Sequence, residues 1–389
     1  MDIKQELAQR QSSLIDLRRD FHQYPELAME ETRTAGIIAE RLSASGLEVR
    51  AGIGKTGVVG VLRGSQSGKT LAIRADIDGL PVQEENDLPF ISKVPGKMHA
   101  CGHDGHAAIG LTVADILARQ RDQLRGNVTF LFQPAEERIG GAQPMLNDGA
   151  LKNPDVDAVI ALHLWNSLPA GQVGVRAGAT FASADGFTLR VRGRGGHGAM
   201  PHLSVDPVLA ASEILVALQS LISREISPFN PAVVTIGSIH GGTAFNIIPD
   251  VVELQGTFRT FADEDRAHLE KRIQEVAHSV AAGLRANVEI EMTRGCPACV
   301  SDEGMARLVQ RAAAEAIGAH NVRDDQLTTG SDDMALFLNA VPGCYFFVGT
   351  QNSAIGCDAP HHSARFKIDE AGLPVGVEVM VRAALDYLQ

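Results

Sequence analysis

Asn127-Val128-Thr129-Phe130-Leu131-Phe132-Gln133-Pro134-Ala135-Glu136-Glu137 is the stretch on which the reading of this chain turns. Residues 127–132 have the pattern of a buried strand, so Glu136 and Glu137 stand just beyond its C-terminal end. In open α/β sheets the functional crevice lies outside the carboxyl ends of the strands. Adjacent residues leaving a strand point different ways, so one carboxylate can bind a metal while the other faces a substrate.

Outward from this strand, helical and strand patterns alternate. Helical spacing is expected over 3–22, 31–45 and 107–124, and strands over 57–63, 70–74 and 157–162. That alternation implies an α/β architecture, a mostly parallel sheet flanked by helices. Between 185 and 293 the order becomes strand 187–192, helix 207–224, strand 233–239, strand 251–258, helix 264–284 and strand 287–292. This β-α-β-β-α-β order is that of a ferredoxin-like α+β unit. The expected organisation is a larger domain from 1–184 and 294–389, interrupted by an inserted domain at 185–293.

Chain length and composition bound the function. Two domains suit 389 residues, and the 44% hydrophobic and 21% charged fractions are those of a globular protein. The net charge of −12 argues against nucleic acid or an anionic membrane as partner. No apolar run is expected to reach membrane-spanning length, the N-terminus does not have the pattern of a secretory signal, and a cytoplasmic protein is expected. Five scattered cysteines do not form a disulfide framework, so Cys101 is expected to be reduced and free to ligate.

Metal-binding side chains recur along the chain. Met98–His106 crowds Cys101, His99, His103, His106 and Asp104 into a glycine-bearing loop, His163 ends the apolar run 158–162, and His361-His362 stands in a late loop. A structural zinc site draws Cys and His ligands in close pairs. Here thiolate, imidazole and carboxylate candidates are dispersed from Cys101 to His362 and come with a spare acid, the pattern of a catalytic site with two metals.

Several motifs together resemble the dinuclear metallo-amidohydrolases that act on hippurate, indoleacetyl-amino acids and other N-acyl amino acids, relatives of aminoacylase and carboxypeptidase G. They are Arg74–Pro81, Met98–His106, Phe132–Glu137, Leu162–Trp165, Gly195–His202, Asn246–Asp250 and His362–Phe366. The resemblance implies a zinc-exopeptidase-like catalytic domain with an inserted lid that also mediates dimerisation. It implies Cys101 bridging two divalent ions (Zn, Mn, Co or Ni), with His103, His163, Glu137 and His362 as further ligands. Glu136 would be the general base and Asp76 an orienting residue behind the ligands. In the inserted domain, His197 would hold the developing oxyanion, and Asn246 and Arg259 the substrate carboxylate. His361 is an alternative to His362, but the register of the motif favours His362. Ala364, Gly198 and Asp332 depart from the pattern and bear on pocket shape.

The implied reaction is hydrolysis of an N-acyl or N-aroyl amino acid to a carboxylic acid and a free amino acid, by a homodimer. The alternatives are a di- or tripeptidase, or carboxypeptidase-type enzyme, on the same scaffold, and a non-catalytic metal binder, which would not need Glu136. Two motifs are decoys. Gly52–Gly57 has G-x-G-x-x-G spacing but precedes a strand pattern where a dinucleotide site needs a helix, and Cys296-Pro297-Ala298-Cys299 reads as a boundary segment.

Overall fold

The computed structural model describes residues 2–389. The chain forms two compact units, one from residues 1–180, 299–327 and 332–389, the other from residues 181–298 and 328–331.

The first unit is built on an eight-stranded sheet. Its longer strands are β1 (Glu48–Ile53), β2 (Gly57–Arg63), β3 (Gln66–Asp76), β4 (Arg125–Gln133) and β5 (Ala158–Pro169), with Gly343–Gln351 completing the centre. The order is β1-β2-β4-β3-β5, then Gly343–Gln351, then the two-residue strands Val173–Gly174 and Val322–Arg323. The middle is parallel, β3 pairing with β4 and β5, and β5 with Gly343–Gln351. On one flank β1, β2 and β4 pair antiparallel; on the other Val173–Gly174 pairs antiparallel with Gly343–Gln351 and parallel with Val322–Arg323. Strand composition explains the centre: residues 128–133 and 158–164 are buried throughout, as expected when helices cover both faces. Helices Ile3–Gln23, His103–Ala118, Glu303–Ile317 and Gly372–Tyr387 cover one face, with Phe21, Ile109, Val309 and Val377 sealed in one core with Ile160, Leu162 and Phe130.

One local expectation is revised. The helix expected at 107–124 runs over His103–Ala118, because Gly102 takes a left-handed conformation (φ 95°) and turns the chain into the helix. The second half of the Cys/His stretch is therefore the first helical turn. The Gly52–Gly57 decoy is the hairpin between β1 and β2, with Gly52, Gly54 and Lys55 at positive φ.

The second unit carries a four-stranded antiparallel sheet of β6 (Asp185–Arg192), β7 (Ala232–Gly241), β8 (Val251–Thr260) and β9 (Asn287–Arg294), in the order β7-β8-β6-β9. Helices Pro207–Ser220 and Asp263–Gly283 share a core with it through Ile214, Leu218, Leu269 and Ile273. Every strand and helix read as the ferredoxin-like unit is present in that order.

One expectation about this unit is corrected. By length and composition the helical stretch Pro207–Glu225 is apolar enough to cross a membrane. The reason is a helix apolar on more than its core face: Ala210, Ala211, Ile214 and Leu218 are buried, while Val208, Leu209 and Val216 remain exposed.

Candidate metal centre

Register brings the site together at one end of the parallel strands. Asp76 ends β3, opposite Gln133 of β4, and Arg74 lies opposite Ala161 of β5. His163 therefore comes level with Asp76, although its own strand runs on to Pro169. After β4 the chain turns sharply through Ala135 (φ 54°) and Ile139 (φ 50°), presenting Glu136 and Glu137 between them. His362, also at positive φ (67°), is held where its backbone N–H donates to the carbonyl of Ala100 at 2.8 Å.

All five expected metal ligands meet there. Single donor atoms of Cys101, His103 and His163 lie within 4.8 Å of one another, as do those of Cys101, Glu137 and His362. Cys101 is common to both triads. Its Sγ is 3.5 Å from His163 Nε2, and His362 Nε2 is 3.2 Å from Glu137 Oε2. His362 is half exposed and the other four are buried or nearly so, which leaves the cluster open on one side.

Hydrogen bonds fix which imidazole nitrogen points inward. Nδ1 of His163 donates to the carbonyl oxygen of Leu164 at 2.8 Å, and Nδ1 of His103 to the carbonyl oxygen of Asp78 at 2.9 Å, with Asp78 Oδ1 at 3.2 Å. In each ring the Nε2 lone pair is thereby directed into the cluster, the arrangement usual for imidazole ligands. His103 Nε2 and Glu137 Oε1 are buried without a hydrogen-bond partner. They lie 4.0 Å apart and face the same space, where an ion could replace a proton.

Electrostatics point the same way. Asp76, Asp332 and Asp333 pair with the buried Arg74, while Asp78, Glu136 and Glu137 lie against His103. Burial works against charge on His103, but Asp76 and Asp78 overcome it and hold the ring up to about 10. Burial, reinforced by Glu137 and Glu136, keeps the Cys101 thiol far above its ordinary range. Burial likewise raises Glu136, with Asp332 and Glu137 adding to it. This is a pocket short of positive charge, and soft and hard donors together suit a divalent transition ion. The donor set fits two such ions.

Glu136 is not part of the two triads that share Cys101. Its Oε2 is 3.9 Å from His103 Nε2, and it also stands within 4.8 Å of both Asp332 and Asp333. Asp76 does not touch the outer nitrogen of a ligand. It takes hydrogen bonds from His106 Nδ1 and, at 2.7 Å, from Arg74 Nη1, while His106 Nε2 accepts the Leu164 backbone N–H at 2.9 Å. The orienting contact to His103 comes from Asp78. His361 turns away: its Nε2 donates to Leu164 O at 3.0 Å and its ring stacks on Trp165 at 4.5 Å.

Sequence reading assigned no role to Asp78, His106, Arg74, Tyr345 or Asp333. Arg74 Nε reaches Gln133 Oε1 at 2.8 Å and Arg74 Nη2 reaches Asp332 at 3.1 Å, while Tyr345 Oη donates to Asp332 at 2.6 Å. An arginine inside a buried strand was the available signal, since such a residue is rarely buried unpaired.

The remaining expected residues belong to the second unit. His197 pairs with Ile247 in a two-residue ladder, next to Asn246, whose carbonyl accepts the Gly198 N–H at 2.8 Å. His197 Nδ1 accepts the Ala199 N–H at 3.0 Å, so Nε2 carries the proton and the exposed ring is a donor. Arg259 lies on β8, where its Nη1 donates to Thr257 Oγ1 at 2.6 Å.

Comparison with known proteins agrees with this geometry. N-acetyl-L-cysteine deacetylase of Bacillus subtilis strain 168 is 39% identical over 367 residues, 94% of this chain and 86% of the relative. Thermostable carboxypeptidase 1 of Saccharolobus solfataricus is 38% identical over 378 residues, 96% of this chain and 95% of the relative. The YXEP protein of Bacillus subtilis, described as a dinuclear metal binding peptidase from the M20 family, superposes with a TM-score of 0.85 at 35% identity over 97% of this chain and 98% of its own. The family model for peptidase family M20/M25/M40 matches residues 72–386, a span that takes in every proposed ligand, and the chain belongs to that family of hydrolases.

Proposed function

We propose that the protein is a two-metal amidohydrolase that cleaves N-acyl amino acids, hippurate-like substrates included, to a carboxylic acid and a free amino acid. The observation that carries this reading is the sharing of Cys101 between two ligand triads, with a buried carboxylate, Glu136, beside them but outside both. Cys101, His103 and His163 would hold one ion and Cys101, Glu137 and His362 the other; when bound, such ions polarise a carbonyl and bring the pKa of water towards neutrality.

Glu136 takes the proton released by the attacking water and passes it to the departing amine. Burial, with Asp332 and Glu137, raises its pKa, the direction that makes the carboxylate a better proton acceptor. His103 and His163, fixed by Asp78 and the Leu164 carbonyl, keep their lone pairs aimed without reorganisation. His197, with Nε2–H exposed, supplies a donor for the developing oxyanion, and Asn246 and Arg259 recognise the free carboxylate. Arg259 has no carboxylate partner among the described residues, which supports that role.

The N-acetyl-L-cysteine deacetylase relative favours deacylation, and the carboxypeptidase relative favours the second reading, cleavage of short peptides. Rates on N-acetyl, N-benzoyl and free dipeptide substrates, measured side by side, separate them. We expect the acylated substrates to lead; preference for the free dipeptides would reverse the assignment. We place the enzyme in a reducing compartment, the cytoplasm, a reading supported by the buried Cys101, Cys344 and Cys357, which form no disulfide. We also assign it as a homodimer through the inserted unit, supported by the exposed Val208, Leu209 and Val216 on one helix. Light scattering at the mass of one chain would exclude that assembly.

A further inference from the structure

The loop that carries Glu136 and Glu137 makes little regular structure of its own, yet both carboxylates must be held to within fractions of an ångström. Its backbone amides answer how. The Ala135 N–H donates to Glu31 Oε1 at 2.9 Å, the Glu137 N–H to Asp78 Oδ2 at 3.1 Å, and the Gly141 and Ala142 N–H groups to Asp333 Oδ2 at 3.1 and 2.9 Å. The other oxygen of Asp333 accepts from Gln133 Nε2 at 2.6 Å. One carboxylate therefore ties the residue that closes β4 to the residues where the loop ends. All three acids are buried, and they come from distant parts of the chain.

We propose that Asp333 and Glu31 are positioning residues that fix the placement of Glu136 and Glu137 by gripping the two ends of their loop. This rests on the reading that Glu137 holds an ion and Glu136 moves a proton. Burial raises the pKa of both acids, and the hydrogen bonds from Ala142, Gln133, Ala135 and Thr56 oppose that rise by favouring the charged carboxylate. The grip is two-sided: Glu31 also accepts from Thr56 Oγ1 and the Met29 N–H, and Asp333 is anchored by Arg74. Neither acid need touch the substrate. A carboxylate is required at 333 because both oxygens accept, one from Gln133 and one from two backbone amides. Asparagine keeps the shape and loses one of those acceptors. Glutamine at 31 does the same on the opposite side.

The test compares Asp333→Asn and Glu31→Gln with the native protein in three readouts: amide hydrogen exchange of the metal-free protein, zinc affinity by calorimetry, and kcat and KM on an N-acetyl amino acid. We expect faster exchange confined to residues 135–142, zinc affinity and kcat each lower by roughly tenfold to a hundredfold, and KM within about twofold. Two variants guard against a single one that does not fold. Native exchange in 135–142 with native zinc affinity in either folded variant would overturn the proposal, as would a general loss of protection with no focus on that segment. The exchange readout needs neither metal nor substrate, so absence of hydrolysis by the native enzyme would count against the proposed function alone.

Discussion

Gly141 offers a sharp perturbation of the loop that carries Glu136 and Glu137. A Cβ added there would stand 1.6 Å from the carbonyl oxygen of Pro134 and 2.7 Å from its carbon. Carbon and oxygen that are not bonded need roughly 3.2 Å, so Gly141→Ala must push the two ends of the loop apart by about 1.5 Å. That exceeds the roughly 1 Å misplacement that can cost a hundredfold in rate, and forced repacking typically costs about 1–3 kcal/mol. The neighbouring Gly140 is the control, since a Cβ there meets nothing nearer than 3.7 Å. The assay is kcat on an N-acetyl amino acid with metal content and melting temperature measured in parallel. We expect Gly140→Ala to match the native enzyme and Gly141→Ala to lose at least about a hundredfold in kcat. Equal kcat in the two variants would refute the argument that loop closure places the carboxylates.

Three further outcomes follow from the geometry. His362→Ala should weaken metal binding by tenfold or more, roughly the scale seen when ligand shells are disturbed, whereas His361→Ala should retain native stoichiometry, read by atomic absorption after dialysis; the reverse ranking would exchange their roles. Burial opposes the charge of Asp104, but Arg18 at 2.8 Å and His22 hold its carboxyl below its ordinary range, so its stabilising effect is full above about pH 4 and is lost as the pH falls further. Melting curves of the metal-free protein should show Asp104→Asn less stable at neutral pH with the gap narrowing in acid, and a constant gap would contradict the assignment. Arg74→Met leaves Asp76, Asp332 and Asp333 buried without their cation, and should cost about 3–5 kcal/mol in urea unfolding; a loss under about 1 kcal/mol would show that those acids are neutral.

Much of this was legible in sequence because period and punctuation carry it. The run at 127–132 and the alternating segments of the inserted unit show their burial pattern directly, and strand ends then say where functional side chains gather. His103 shows the limit. Its place in the first helical turn depends on Gly102 adopting a left-handed conformation, which composition permits but does not require. Asp78 and Asp333 illustrate the other gap. A carboxylate that serves backbone amides has no spacing signature, because its partners are defined by register and by loops that close through space. Pro207–Glu225 misled for the opposite reason: its apolar content sums a core-facing side and an exposed side that periodicity alone does not separate.

The sharing of Cys101 is the point on which the account stands, and metal counting on ligand variants measures it directly. After loading with zinc and dialysis, the native chain should retain two ions, His163→Ala and His362→Ala should each retain about one, and Cys101→Ala should retain none, since both triads lose a member. Retention of one tightly held ion by Cys101→Ala would mean that the thiolate serves a single ion, and the shared two-metal centre would be wrong.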